Sequence, residues 1–422
     1  MSYRTQDQRN LFLGVSIQEI EKERDDLLHS WYPRIVDTIS GGYWTNFEYD
    51  WTPSESQSKM LVTQARGLWT AARAAQVYPQ EKIFRQAAAH GFTFLTKIMW
   101  DEKQGGFSQY YPGSENDYQL TYGNAFALYA MAEYAKINPD PAVLTWLEKS
   151  FVWLEEVAHD PEHLGYFNLI YPEGLADSLK TGANWGDPLG KDQNSSIHIL
   201  EALTNVYQVW PDELVKKRLA EIFHLVRDTM VHADGYLRLF YTQNWQPINH
   251  QDSTRDYILE HLYFDHRSFG HDIETAYLLL DASKVLYGKY DLTTLAVAKK
   301  LVHQTLANGF DQDYYGLFDR AYQFPGKLDL EIVNKEKNWW GQAEAWHTLA
   351  LMSTIYPKEA KYQEAFQSMW RYIKSEMIDY QYGGWYNNGL DTDPANKTAR
   401  KAHEWKSAYH NGRALMQVLE YR

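Results

Sequence analysis

Gly41-Gly42-Tyr43-Trp44 returns along the chain as Gly105-Gly106-Phe107, Gly165-Tyr166-Phe167, Gly235-Tyr236-Leu237, Tyr315-Gly316-Leu317-Phe318 and Gly383-Gly384-Trp385-Tyr386. The glycines beside the aromatic or apolar residue, at 42, 106, 165, 235, 316 and 384, recur with a period of about 70 residues. Each segment is followed within about 15 to 40 residues by a helix-period stretch that opens with polar side chains. A unit of that length holds one outer helix, one inner helix and two connections. Such a pair buries its apolar face only against neighbouring pairs, so six units predict a closed ring. The expected fold is all-α, an (α/α)6 barrel with six inner and six outer helices. One domain over residues 1–422 is expected, because no Pro/Gly/Ser-rich linker, charge block or low-complexity tract separates the halves.

Periodicity places the starts of the inner helices near Met60, Tyr122, Asn194, His271, Trp340 and His410. Their outer partners are expected near 16–37, 81–98, 141–157, 211–231, 291–307 and 358–378. The inner set is rich in Ala, Leu and Tyr, as in Phe126, Ala127, Ala130 and Met131, whereas the outer set carries surface charge, as in Lys216-Lys217-Arg218 and Lys299-Lys300. Strand-like alternation is confined to short pieces around the glycine segments. A ring of this kind leaves a central funnel lined by the openings of the inner helices, and loops on a rigid scaffold tend to carry function.

Composition narrows the partners. A net charge of −14 opposes binding to a phosphate backbone, so no nucleic acid partner is expected. No stretch approaches the roughly 18 to 20 apolar residues that cross a bilayer, and the first residues lack a secretory-leader pattern. With no cysteine, disulfide and thiolate chemistry are excluded. A soluble, cytoplasmic protein is expected, monomer or homodimer being left open. The 16 Trp and 32 Tyr supply flat apolar faces with polar tips, which suits sugar rings, although most belong to the core. The glycine pairs precede aromatic residues rather than a helix-opening phosphate loop, so nucleotide binding is unsupported.

Three histidines stand at helix openings. In Ser268-Phe269-Gly270-His271-Asp272-Ile273-Glu274, His271 and Glu274 share one helix face, with Ser268 as the expected cap. The helix dipole disfavours the imidazolium there while a carboxylate favours it, a balance that suits acid–base work near neutral pH. His410, in Tyr409-His410-Asn411-Gly412-Arg413, repeats the arrangement. Asn194 and His198 lie four apart on a third helix, opposite Ile197, Leu200 and Leu203, and Arg66 adds a positive charge to the first. A lone buried histidine is ordinarily a structural hydrogen-bonding group, and Arg66 has a core carboxylate pairing as its bland alternative. Three histidines at three openings argue for a site. His271 and Glu274 also have helical metal-ligand spacing, but the chain has no HExxH pattern or Cys/His cluster, so no metal is expected. Glu274, Glu344, Asp187 and Asp192 are the carboxylate candidates for a competing class, inverting glycoside hydrolysis.

At these residues the chain resembles the N-acylglucosamine 2-epimerase superfamily, and within it the cellobiose 2-epimerase and mannose 2-epimerase branch. The resemblance runs through Arg66-Gly67-Leu68-Trp69, Tyr122-Gly123-Asn124-Ala125-Phe126-Ala127, Asp160-Pro161 leading to Gly165-Tyr166-Phe167, and Asn194 with His198-Ile199-Leu200-Glu201-Ala202. It continues through the His271 segment, Trp339-Trp340-Gly341-Gln342-Ala343-Glu344-Ala345, and Trp405-Lys406 ahead of Tyr409-His410-Asn411-Gly412-Arg413. It implies an (α/α)6 barrel that interconverts sugars at carbon 2 without a cofactor. It further implies that His271 and His410 are the two acid/base groups on opposite faces of the sugar and that His198 handles protons on the oxygens. Arg66 would then polarise the carbonyl, Glu274 support His271, and Tyr122, Asn124, Asn194, Trp339, Trp340, Glu344 and Trp405 surround the substrate.

Two departures bear on the substrate: Ala408 stands where the cellobiose branch often has proline, and Thr63-Gln64-Ala65 departs from its Leu-Asn-Ser type of run. Free mannose and glucose are therefore the expected pair. The alternatives, in order, are a cellobiose or mannobiose 2-epimerase, a mannose–ketose isomerase, an inverting glycoside hydrolase and a non-catalytic sugar-binding ring.

Overall fold

A computed structural model describes residues 10–113, 119–170 and 190–422. Among them twelve helices form the ring. Numbered along the chain, the outer ones are α1 (Ile17–Trp31), α3 (Lys82–Phe94), α5 (Pro141–Val157), α7 (Glu213–His224), α9 (Leu292–Asn308) and α11 (Ala360–Tyr372). The inner ones are α2 (Leu61–Val77), α4 (Thr121–Ala135), α6 (Gln193–Val209), α8 (Phe269–Tyr287), α10 (Trp339–Ile355) and α12 (Tyr409–Val418). Successive inner helices pack side by side, and α12 closes on α2. The fold is an (α/α)6 barrel.

The inner helices are apolar on nearly all sides because they are enclosed on nearly all sides. Leu61 to Ala72 of α2 are all buried, as are Thr121 to Tyr134 of α4. Outer helices bury one stripe only, such as Phe84, Ala87, Ala88, Gly91 and Phe94 of α3. The first outer helix stops at Trp31, short of the expected 37. Pro33 cannot continue the helical hydrogen bonding and disfavours helical backbone before it, and Tyr32 is accordingly extended (φ −106°, ψ 130°).

The glycine segments are the corners between outer and inner helices. Gly42 has φ +66°, and a Cβ there would lie 2.4 Å from the Gln64 amide oxygen, so only glycine fits. The reason is a clamp that recurs round the ring. The fourth residue of an inner helix accepts a backbone N–H one or two residues past the corner glycine: Gln64 from Tyr43 at 2.7 Å, Asn124 from Phe107 at 3.0 Å, Asp272 from Leu237 at 2.8 Å and Gln342 from Leu317 at 2.7 Å. Short ladders, such as Lys59–Met60 against Tyr110–Tyr111 and Lys191–Asp192 against Phe240–Tyr241, tie each corner to the next. The openings of the inner helices are thus pinned at one end of the barrel, where the candidate residues lie. Among the described residues no helix is long and apolar enough to cross a membrane.

Candidate active site

Because an inner helix turns 3.6 residues per turn, its second, sixth and ninth residues share a face. That face looks down the axis. It carries Arg66 on α2, Tyr122 on α4, Asn194 and His198 on α6, Glu274 on α8, Trp340 and Glu344 on α10 and His410 on α12. Arg66, Tyr122, Asn194, His198, His271, Glu274, Trp339, Trp340, Trp405 and His410 line one cavity of about 210 Å³. Glu344 sits directly behind His410. Asn124 is not part of it: its amide is spent on the Phe107 N–H and, at 3.1 Å, the Leu120 carbonyl, so it is a corner clamp rather than a substrate contact. Asp187 lies outside the described residues. Asp192 caps α6, bonding the Ser195 N–H at 2.6 Å and hydroxyl at 2.9 Å.

Each histidine is held by Nδ1, and none has a partner for Nε2 among the described residues. His271 Nδ1 lies 2.7 Å from Ser268 Oγ, His198 Nδ1 2.9 Å from Glu201 Oε2 and His410 Nδ1 2.7 Å from Glu344 Oε1. Two expectations about the His271 segment change here. Ser268 makes no side-chain cap bond to α8 and instead orients His271. Glu274, expected beside His271, is 2.8 Å from Arg413 Nη2. Sharing a helix face does not decide the partner when a guanidinium from another helix stands closer to the carboxylate.

That guanidinium organises the carboxylates behind the cavity, a place that the sequence reading does not assign to it. Arg413 is fully buried and contacts three carboxylates, Glu201, Glu274 at 2.8 Å and Glu344 at 2.7 Å, as well as the Tyr409 hydroxyl. Its sequence signal is its place at the end of the Tyr409-His410-Asn411-Gly412-Arg413 segment, three residues after His410. Glu274, Glu344 and His410 bring ligand atoms within 4.8 Å of one another, a spacing that a metal would suit, but Arg413 supplies the positive charge between the two carboxylates.

Burial sets the protonation states. It pushes His271 down to about 3, aided by the charges of His198, His266, Arg320 and Arg66, and it pushes His410 well below the usual histidine range, aided by Arg66 and Arg413. Both rings are therefore neutral near pH 7. Burial also raises the carboxyls of Glu274 and Glu344 to about 7, the latter against the pull of Arg413. Burial acts the same way on Glu201, but Arg413 and the His198 hydrogen bond outweigh it and hold that carboxyl at about 2. An ionised Glu201 only accepts, so Nδ1 of His198 carries a hydrogen.

Arg66 has no carboxylate partner among the described residues. It donates to the Tyr122 hydroxyl at 2.8 Å and the Trp405 carbonyl at 3.2 Å, and it lies over the Phe126 ring. Its charge is left for whatever enters the cavity. Trp340 packs against both acid/base candidates, its ring 4.7 Å from His271 and 5.9 Å from His410. Gly270 admits it, since a Cβ there would lie 2.4 Å from the Trp340 ring. Gly270→Ala is therefore expected to displace Trp340 and cost about 1–3 kcal/mol of stability together with activity. A denaturation midpoint and turnover both equal to the parent's would refute that packing argument. Trp405 is 41% exposed, at the mouth.

The model of the family described as N-acylglucosamine 2-epimerase (GlcNAc 2-epimerase) matches residues 42–414. The chain is 25% identical over 409 residues to a cellobiose 2-epimerase of Bacteroides fragilis, covering 95% of this chain and 98% of that protein. It is 24% identical over 409 residues to a D-mannose isomerase of Marinomonas mediterranea, covering 95% and 96%. The structure of a cellobiose 2-epimerase from Bacillus thermoamylovorans superposes with a TM-score of 0.82 at 25% identity, covering 96% of this chain and 99% of that one. The helical ring, the histidine-lined cavity at its axis and a family match along almost the whole chain agree: this carbohydrate isomerase belongs to the N-acylglucosamine 2-epimerase family.

Proposed function

We propose that the protein interconverts D-mannose and D-glucose, free or at the reducing end of an oligosaccharide, by moving one proton at carbon 2 without a cofactor. The observation that carries this is the pair His271 and His410. Two neutral imidazoles, each with Nε2 open, line one cavity with a tryptophan that both contact, beside a guanidinium that lacks a carboxylate among the described residues. A cytoplasmic site of action and a single catalytic domain are part of the reading.

Ring opening creates the aldehyde that acidifies the neighbouring C–H. One histidine takes the carbon-2 proton, the C–H electrons form the C1–C2 double bond, and the carbonyl electrons move to O1, giving an enediolate. Arg66 and His198 stabilise that oxygen, as preorganised donors do where charge develops. The second histidine then protonates carbon 2 from the other face and the electrons return to re-form the aldehyde. His410 is fitted for donation. Below about pH 7 the Glu344 carboxyl is protonated and donates a hydrogen bond to Nδ1, so the hydrogen of the neutral ring sits on Nε2. As Nε2 gives that hydrogen to carbon 2, the Glu344 proton passes to Nδ1, leaving a neutral imidazole and a carboxylate.

Glu344 is thus protonated below about 7 and loses its proton as pH rises past that value, so turnover is expected to fall on the alkaline side of about pH 7. Glu344→Gln should abolish that limb and lower turnover by roughly 100-fold. An unchanged limb in the variant contradicts the assignment.

The cavity of about 210 Å³ is smaller than the ~300–1,000 Å³ of pockets for drug-sized ligands, which favours one sugar ring in its enclosed part. Rates on mannose, mannobiose and cellobiose settle that preference. A ketose isomerase uses the same enediolate but returns the proton to carbon 1, so mannose in deuterated water should give glucose labelled at carbon 2, and fructose as the main product would refute epimerisation. Glycoside hydrolysis fits poorly. Glu274 and Glu344 share one guanidinium, and Glu344 does not line the cavity, whereas hydrolysis requires carboxyl groups on both sides of a bond.

A further inference from the structure

Four corners of the ring are closed by the same buried ion pair. Lys59, Lys191 and Lys337, each two residues ahead of an inner helix, reach Asp37, Asp160 and Asp311 at 2.6, 2.8 and 2.8 Å, and Lys401 pairs with Asp379. Each aspartate follows the residue that bridges to the aromatic or apolar side of its corner: Val36 to Tyr43, His159 to Tyr166, Phe310 to Leu317 and Ile378 to Trp385. The second corner keeps the aspartate, Asp101 after the Trp100–Phe107 bridge, and has Gln119 in place of the lysine, donating to the Gly105 carbonyl at 3.0 Å.

The fourth corner keeps the cation and loses the carboxylate. Arg267 stands two residues ahead of α8, and the residue after the Val231–Leu237 bridge is His232. Burial, with the charge of Arg238, pushes His232 below its usual range, so it brings no counter-charge. Arg267 is only 9% exposed, and no carboxylate lies within ion-pair distance of it among the described residues. It stacks 3.6 Å over the Tyr236 ring and donates to Gln323 Oε1 at 3.2 Å. Asp272, the nearby buried carboxyl, is raised to about 7 by burial and accepts from the Leu237 amide.

A polar cleft of about 530 Å³ opens at this corner, outside the barrel axis. Arg267 forms its buried end, and Lys300, Gln304 and Asn308 of α9 form one wall. Asp234 and Asp329 stand at its exposed edge. A guanidinium left without a carboxylate beside an open polar cleft calls for an anion, and its fork matches phosphate in bidentate fashion. The cleft is far larger than an inorganic phosphate. Its amides and edge carboxylates suit hydroxyl groups, while those same carboxylates and the net charge of −14 repel polyanions.

We propose that this cleft binds a sugar phosphate, the phosphate monoester resting on Arg267 and Lys300 and the hydroxyls on Gln304, Asn308 and the edge carboxylates. The site is separate from the substrate cavity and does not depend on the proposed reaction.

The test is calorimetric titration of the full chain with mannose 6-phosphate, inorganic phosphate and mannose. Mannose 6-phosphate is expected to bind saturably at submillimolar concentration, at least tenfold tighter than inorganic phosphate. Binding should fall at least tenfold in Arg267→Gln and in Lys300→Gln and persist in His410→Ala, which separates this cleft from the substrate cavity. Lys300 lies on an outer helix, so its variant decides the matter if Arg267→Gln fails to fold. No binding, equal affinity for inorganic phosphate, loss in His410→Ala, or retention in both cleft variants overturns the proposal.

Discussion

Alanine at either His271 or His410 is expected to lower mannose–glucose interconversion by roughly two to three orders of magnitude, within the range that general acid–base groups contribute. The argument is geometric first. Both rings line the cavity, both present Nε2, and both pack against Trp340. Neither anchors the fold strongly. His271 is tied through Ser268, and His410 through Glu344, which keeps Arg413 when the ring is removed. Each variant should therefore fold and melt close to the parent. Turnover within tenfold of the parent in both variants would end the two-histidine account.

The largest effect on stability is expected at Arg413. Its guanidinium is fully buried among Glu201, Glu274 and Glu344. One cation there balances one anion: Glu201 is held ionised at about 2, while Glu274 and Glu344, at about 7, keep their protons. Arg413→Met removes the cation and leaves the Glu201 charge with only the His198 ring and the Tyr409 hydroxyl beside it. Breaking a buried pair in this way costs about 3–5 kcal/mol, measurable as a lowered denaturation midpoint. Activity should vanish as well, because the carboxyls behind His198 and His410 lose their anchor. A loss below about 1 kcal/mol would show that the cluster relaxes without its centre.

Features that run along the chain are legible in the amino-acid sequence. The Gly-aromatic corners and the apolar period locate the inner helices to within about two residues, and His271, His410, His198 and Arg66 stand out because they interrupt otherwise apolar openings. Pairings across the ring are not legible. Arg413 meets Glu201 from 212 residues away, and nothing local distinguishes it from a surface arginine on the last turns of the chain. Spacing alone pairs Glu274 with His271, three residues away, yet Arg413 claims it. Asn124 resembles a ligand because it opens a helix beside Tyr122. Its fourth position, shared with Gln64, Asp272 and Gln342, marks it as a clamp once the corners are compared.

The most direct test of proton exchange between two faces uses the single-histidine variants in deuterated water, with mannose and glucose supplied separately and carbon 2 followed by NMR. With one histidine removed, the other still serves one face. Each variant is therefore predicted to exchange the carbon-2 hydrogen of one epimer without inverting it, and the two variants should choose opposite epimers. Epimerisation that retains the original hydrogen, or exchange of both epimers by either variant, would contradict the account.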